Sequence, residues 1–202
     1  MPNPLAPAPY LQSVLKPDFP IETQRLLVRP LVAADVDAMH AYQSQPDVCR
    51  YIPYEPRTKE QIAERLADVD KRNRSTLEEA GQALCVGVEL RATGELIGDI
   101  ILMWHSAEHR AGEIGYVFHP DHAGHGYATE ASRVLLELAF DGLGLHRVVG
   151  RIDARNVASG AVLKRLGMRQ EAMLVENEWF KGEWSSEIIF AMLETEWRAQ
   201  PK

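Results

Sequence analysis

Two glycines flank a histidine at Gly124-His125-Gly126, and they run straight into Tyr127-Ala128-Thr129-Glu130-Ala131. Such a junction is suited to holding phosphate. Glycine lets the backbone turn tightly and approach a ligand closely, while the first turn of a helix offers unpaired N–H groups at its positive dipole end. A second group of chemically capable residues is the histidine series His119, His122 and His125, with His105 and His109 upstream. Imidazole is a common zinc ligand. Pro120 and the glycines, however, deny this segment the continuous helix that would align side chains three apart, and no acidic or cysteine partner has a ligand spacing. No metal site is expected, and His125 is read as an auxiliary phosphate contact. Cys49 and Cys85 form no CxxC pair and are read as buried apolar residues.

The elements that must position the loop follow from periodicity. Ala131, Val134, Leu135, Leu138 and Ala139 fall at helical spacing, which predicts a buried stripe on a helix stopped by Gly142 and Gly144. Upstream, residues 25–31 read as a strand and 35–42 as a helix. Thr58 with Lys59-Glu60-Gln61 resembles a capping box opening a polar helix to about Asn73. Residues 83–90 and 95–104 read as a hairpin turning at Ala92-Thr93-Gly94, and 113–118 as a further strand. After the long helix comes a strand over 147–153. Asn156 then opens a short helix with Ala158, Ala161, Val162 and Leu166 inward, closed by Gly167. Residues 168–179 and 187–193 read as a last strand pair around Lys181-Gly182. The order implies an α+β fold around a mixed sheet.

The 202-residue length favours one domain with a core of its own. Six of the twelve prolines lie in the first twenty residues, so an extended arm over 1–20 is expected to precede a single folded unit over 21–199. Asp99 and Glu137 interrupt the longest apolar runs, and no membrane span is expected. The N-terminus lacks a basic cluster followed by an apolar core, which makes the cytoplasm the default location. A formal net charge of −7 argues against nonspecific nucleic-acid binding.

Three separated motifs resemble the GNAT superfamily of acyl-coenzyme A dependent N-acetyltransferases, in particular its branch of ribosomal-protein N-terminal acetyltransferases related to RimJ and RimL. They are Gly112-Glu113-Ile114-Gly115-Tyr116, then 124–131, then Asn156-Val157-Ala158-Ser159 leading to Leu163-Lys164-Arg165-Leu166-Gly167-Met168. The resemblance implies a mixed, centrally splayed sheet flanked by helices. Acetyl-CoA would lie in the splay, its pantetheine arm against the backbone of Tyr116, Val117 and Phe118 and beside Asn156. Its pyrophosphate would rest on amides of Ala123, Gly124, His125, Gly126, Tyr127, Ala128 and Thr129. Three positions depart from the family's pattern: Ala123 stands for Arg or Gln, Leu163 for a tyrosine that protonates the thiolate, and Ser186 for Asp.

Acetyl transfer to an amine needs a neutral nitrogen, a polarised thioester and a proton for the thiolate. Glu113 shares a strand face with Gly115 and Val117. It is expected to face the cleft and take the amine proton, with a structural carboxylate as the alternative. Ser159 is the candidate donor to the sulfur, against a purely local helix-start role. Asn156 has an N-cap reading that is compatible with cofactor contact. Cys85, in an apolar strand with no histidine at a useful spacing, gives no acyl-enzyme route. Trp104, Trp179, Trp184 and Trp197 read mainly as core or rim, with Trp179 and Trp184 placed to wall an acceptor groove. The acceptor is a protein N-terminal amine or a small amine. A homodimer is left open, and the rival function is a noncatalytic acyl-CoA sensor or partner-binding module on the same fold.

Overall fold

The structure is a computed structural model and describes residues 14–69 and 74–201. Its centre is an eight-stranded sheet in the order β1-β2-β3-β4-β5-β6-β8-β7. The strands are β1 (Ile21–Glu22), β2 (Leu26–Pro30), β3 (Ala83–Leu90), β4 (Leu96–Ser106), β5 (Ala111–Phe118), β6 (Arg147–Asp153), β7 (Arg169–Phe180) and β8 (Glu183–Leu193). Every neighbouring pair is antiparallel except β5 and β6, which are parallel. A parallel pair needs a crossover. It is supplied by α4 (Tyr127–Glu137), the helix that follows the glycine loop.

Strand alternation sorts side chains onto two covered faces. Leu84, Val86, Val88, Ile100, Leu102, Ile114 and Val148 point to the side packed by α4 and by α5 (Val157–Arg165). Cys85, Ile101 and Val117 point to the other side, under α1 (Val36–Gln43) and α3 (Lys59–Ala67). α2 (Pro46–Cys49) lies between those two helices in the chain, and α6 (Glu194–Arg198) follows β8.

Several sequence expectations shift in instructive ways. The Thr58 box forms as expected, with Gln61 N–H donating to Thr58 Oγ1 at 3.3 Å and Thr58 N–H to Gln61 Oε1 at 2.9 Å. The helix nevertheless ends at Ala67, because Asp68 leaves helical geometry; residues 70–73 lie outside the described residues. In α4, Ala131, Val134, Leu135 and Ala139 are buried, but so are Leu136 and Phe140, while Leu138 is only partly covered. A π turn over Leu138–Gly142 inserts one residue and brings Phe140 inward beside Ala139. On α5 the inward face is Gly160, Val162 and Leu163 with Leu166 beyond, and Ala158 is exposed. Gly160 sets that rotation: a Cβ there would stand 3.1 Å from Ile152 Cδ1. β8 begins four residues earlier than expected because Lys181 (φ 49°) and Gly182 (φ 85°) both adopt the left-handed region and make a two-residue turn. At the N-terminus, Leu15 is buried in the main core and exchanges backbone hydrogen bonds with Leu77 at 2.8 and 2.9 Å. The core therefore takes in residues before Ile21, while residues 1–13 of the expected arm lie outside the described residues.

Candidate active site

The sheet opens at one place. β5 and β6 pair only at Ala111–Arg147, Gly112–Val148 and Glu113–Val149. Beyond that point β5 stays on β4 as far as Phe118, and β6 stays on β8 as far as Asp153. The two strands diverge and leave facing backbone groups without a ladder. Two connected cavities fill the divergence. One, of about 900 Å³, is lined by Glu113 to Val117, Gly150 to Ile152, Asn156, Ser159 and Leu163, together with the loop 51–57. The other, of about 790 Å³, runs from Tyr116, Val117 and Phe118 across residues 122–129 to Arg165. Tyr51, Ile52, Tyr116, Val117, Asn156 and Ser159 line both.

Register decides which backbone groups face the opening. His119 N–H donates to Ile97 C=O at 2.8 Å, so the alternation of an antiparallel ladder puts Val117 in a hydrogen-bonded pair with Asp99. The main-chain groups of Ile114, Tyr116 and Phe118 then point towards β6. This divides the expected trio: Tyr116 and Phe118 offer backbone to the gap, whereas Val117 spends its own on β4 and contributes its side chain to the cavity wall.

The glycine loop has the geometry its residues suggest. Gly124 (φ 83°) and Gly126 (φ 80°) sit in the left-handed region, where a Cβ is strained. The first intrahelical bond of α4 is Glu130 N–H to Gly126 C=O at 3.0 Å, so the amides of Tyr127, Ala128 and Thr129 project from the helix start. Ala123 closes the short turn before the loop by donating its N–H to Pro120 C=O at 2.9 Å. His125 stacks on Tyr127 with ring centres 5.5 Å apart. A clamp absent from the sequence reading holds this loop. Arg25 donates from Nη1 to His125 C=O (2.8 Å) and from Nε to Glu130 Oε2 (2.7 Å), and its guanidinium lies 4.6 Å from the Tyr127 ring centre. Glu130 Oε1 also accepts from Thr23 Oγ1 at 2.6 Å. Burial works to raise the Glu130 carboxyl, but these hydrogen bonds outweigh it and hold the group below the usual carboxylate range.

At the other end, Glu113 faces the cavity with its side chain 17% exposed. Its Oε2 lies 3.0 Å from His105 Nε2 and 3.4 Å from Arg151 Nε. Ser159 is not free-standing: its Oγ donates to Tyr116 Oη at 2.8 Å, and Tyr116 Oη donates back to Ser159 C=O at 2.8 Å. This reciprocal bond ties β5 to α5 across the opening. Burial pushes the Tyr116 phenol up to about 12, so it is protonated at ordinary pH. Asn156 caps α5 by accepting Ser159 N–H on Oδ1 at 3.1 Å, which leaves its amide nitrogen as a donor at the wall of both cavities. Leu163 packs on Gly150, where a Cβ would stand 2.7 Å from its Cδ2.

Other candidates fall elsewhere. His122 pairs with Glu95 at 3.2 Å, and His119 Nδ1 accepts the Asp121 N–H at 3.2 Å. Trp104 is buried and Trp197 stacks on Phe140. Trp179 and Trp184 meet edge to face, are 62% and 57% exposed, and wall neither cavity. Ser186 accepts the Glu176 N–H at 2.9 Å on that same hairpin. Cys49 and Cys85 are both buried, but Cys85 has polar company: Arg65 Nη2 at 3.1 Å and Asp99 Oδ2 at 3.7 Å. Of the residues missed from sequence, Asp99 left the clearest trace, a lone carboxylate inside the run Ile97-Gly98-Asp99-Ile100-Ile101-Leu102.

A sheet parted beside the free amides of a helix start is a geometry suited to a cofactor-dependent transferase, and comparison with known proteins agrees. Residues 25–169 match the acetyltransferase (GNAT) domain family. The chain is 35% identical over 177 residues to the uncharacterized N-acetyltransferase YnaD of Bacillus subtilis (strain 168), covering 88% of this chain and 98% of that one. Among solved structures, a GNAT-family acetyltransferase from Bacillus anthracis superposes with a TM-score of 0.76 at 31% identity, over 87% of this chain and 99% of the other. A probable GNAT-family acetyltransferase from Chromobacterium violaceum does so with a TM-score of 0.80 at 26% identity, over 98% of each. The chain belongs to the GNAT acetyltransferase family. It is an acyl-CoA-dependent acetyltransferase, with acetyl-CoA as cosubstrate. Among the described residues no helix is long and apolar enough to cross a membrane.

Proposed function

We propose that this protein moves the acetyl group of acetyl-CoA to a primary amine by direct attack in a ternary complex, as a member of the RimJ/RimL-like branch. The observation that carries the reading is the parted β5–β6 ladder, with exposed amides at one end and Glu113 at the other. The pyrophosphate rests on amides of residues 124–129, the Ala123 N–H expected to join them being spent on Pro120 C=O, and the pantetheine arm runs along Tyr116 and Phe118 with Val117 and Asn156 at its sides. The amine nitrogen attacks the thioester carbon, the C–N bond forms and the C–S bond breaks. Glu113 accepts the proton lost by nitrogen, directly or through one water. The departing thiolate takes a proton from the Ser159 hydroxyl, and the Tyr116 phenol stands within 2.8 Å to replace it. The catalytic unit is one domain over residues 21–199, with Leu15 added to its core, and it works in the cytoplasm.

Two acceptor classes fit: a protein N-terminal amine and a small amine. Spermidine N(1)-acetyltransferase of Escherichia coli (strain K12), 25% identical over 176 residues, is a relative whose name points to the second. The test is thiol release from acetyl-CoA on adding peptides and small amines. Thiol appearing one-for-one with acetylated amine is the expected result; cofactor binding without release would instead make this protein an acyl-CoA sensor.

A further inference from the structure

The larger cavity carries charge that acetyl transfer does not use. Arg57 and Arg65 both line it. The Arg57 guanidinium lies 3.5 Å from the Tyr54 ring centre and donates from Nη1 to Gln43 Oε1 at 2.8 Å. Arg65 donates to Cys85 Sγ. Among the described residues neither guanidinium has a carboxylate within ion-pairing distance. The interior carboxylate nearby, Asp99, is buried and accepts from Tyr42 Oη at 2.7 Å and Gln43 Nε2 at 2.8 Å.

Two cations against one carboxylate leave one positive charge over, in a site where an uncompensated charge is costly. The acids near the rim do not supply the balance. Glu55 and Glu64 are exposed, Glu55 lies 3.7 Å from Lys181, and Glu113 is engaged by His105 and Arg151. Burial, and then the neighbouring Arg65 cation, pull Arg57 below the usual arginine range, whereas Arg65, against the pull of burial, is held above it by Cys85 and Asp99, so the unbalanced charge falls on Arg57. On the same wall Tyr54 Oη is buried and has no hydrogen-bond partner.

We propose that the acceptor carries a carboxylate beside its amine, and that Arg57, Arg65 and Tyr54 bind that carboxylate while the amine reaches the thioester. This rests on the acetyltransferase reading of the same cleft. A guanidinium matches a carboxylate in charge and shape, and the Tyr54 hydroxyl adds a third donor. A polyamine brings only positive charge to the arginines and is disfavoured. The carboxylate can come from a free amino acid or from an acidic side chain beside a peptide's N-terminus.

Initial rates of thiol release from acetyl-CoA, measured with the full-length protein, test this. The acceptors are amino acids, the corresponding α-carboxamides, dipeptides with Asp or Asn in second place, and spermidine. The expected kcat/KM is about ten- to a hundredfold higher for an acid than for its amide, carried mainly by KM. That ratio falls to about one in Arg65→Met and survives in part in Arg65→Lys. A preference confined to free amino acids supports the small-molecule source, and one for Asp over Asn dipeptides the peptide source. Equal rates for acids and amides, or a preference for spermidine, overturn the inference while leaving acetyl transfer intact. No thiol release with any amine overturns both. The acid-to-amide comparison in the unsubstituted protein stands even if a variant fails to fold.

Discussion

The two ends of the cleft are built on opposite principles. The end proposed for the pyrophosphate is made of backbone from one short segment, residues 124–129, shaped by two left-handed glycines and a helix start. The end proposed for the acceptor is made of side chains from four distant stretches: loop 51–57, α3, the β3–β5 face and β6. A polyanion common to every turnover can be held by amides, which need no particular side chain. An acceptor must be told apart from its rivals, and that takes shape and charge placed by tertiary contacts. The join between the ends is the Tyr116–Ser159 bridge, which spans the opening.

This contrast can be broken by substitution. Glu113→Gln acts at the acceptor end and is expected to lower kcat by about 10²- to 10⁴-fold with little change in KM for acetyl-CoA. Steady-state kinetics across pH checks it, and unchanged turnover at every pH would remove the carboxylate from the chemistry. Gly126→Val acts at the phosphate end. Forcing a β-branched residue into the left-handed region costs about 1–2 kcal/mol, so KM for acetyl-CoA should rise roughly five- to thirtyfold while acceptor preference stays the same. A matched loss for both substrates would merge the two ends into one unit.

Smaller effects sharpen the comparison. Glu130→Gln removes the anchor of the Arg25 clamp and should destabilise the fold by about 1–2 kcal/mol, since charge-assisted hydrogen bonds to a partly exposed pair are lost. The sign with pH follows from a carboxyl held low. Its contribution is complete above the usual value of 4.5 and disappears as pH falls through the folded value. Thermal melting below that pH should therefore decline less steeply in the variant than in the parent. The mildest effect concerns Cys85, whose thiol is pushed up to about 12 by burial first and by Asp99 next. Its stabilising contribution is full below pH 9 and is lost as pH rises towards 12. Iodoacetamide at pH 8 should label native Cys85 at under about a tenth of the denatured rate; rapid labelling would show an open acceptor floor.

The same locality explains what the sequence discloses. Strand alternation at 84–88 and 100–104, the Thr58 box and the glycine loop are properties of neighbours in the chain, and all are legible. The π turn at Leu138–Gly142 and the rotated face of α5 are not, because packing against the sheet selects them. Arg25 on Glu130 spans 105 positions and Tyr116 on Ser159 spans 43, distances over which periodicity carries no information. The acidic residue at position 99 was visible as an oddity inside an apolar run, yet its partners come from two other elements, Tyr42 and Gln43 from α1 and Cys85 from β3. Trp179 and Trp184 illustrate the reverse error: their place on the last hairpin suggested a groove wall, and the hairpin turns them to solvent.

Backbone amide exchange, measured residue by residue with and without coenzyme A, tests the parted ladder most directly. Slowed exchange concentrated at Tyr116 and Phe118 and at residues 124–129 is what the geometry predicts, with Val117 already protected in the free protein by its bond to β4 and Ile114 by the last rung of the β5–β6 ladder. Saturating coenzyme A that leaves those amides unchanged, or protects a different face of the sheet, would contradict it.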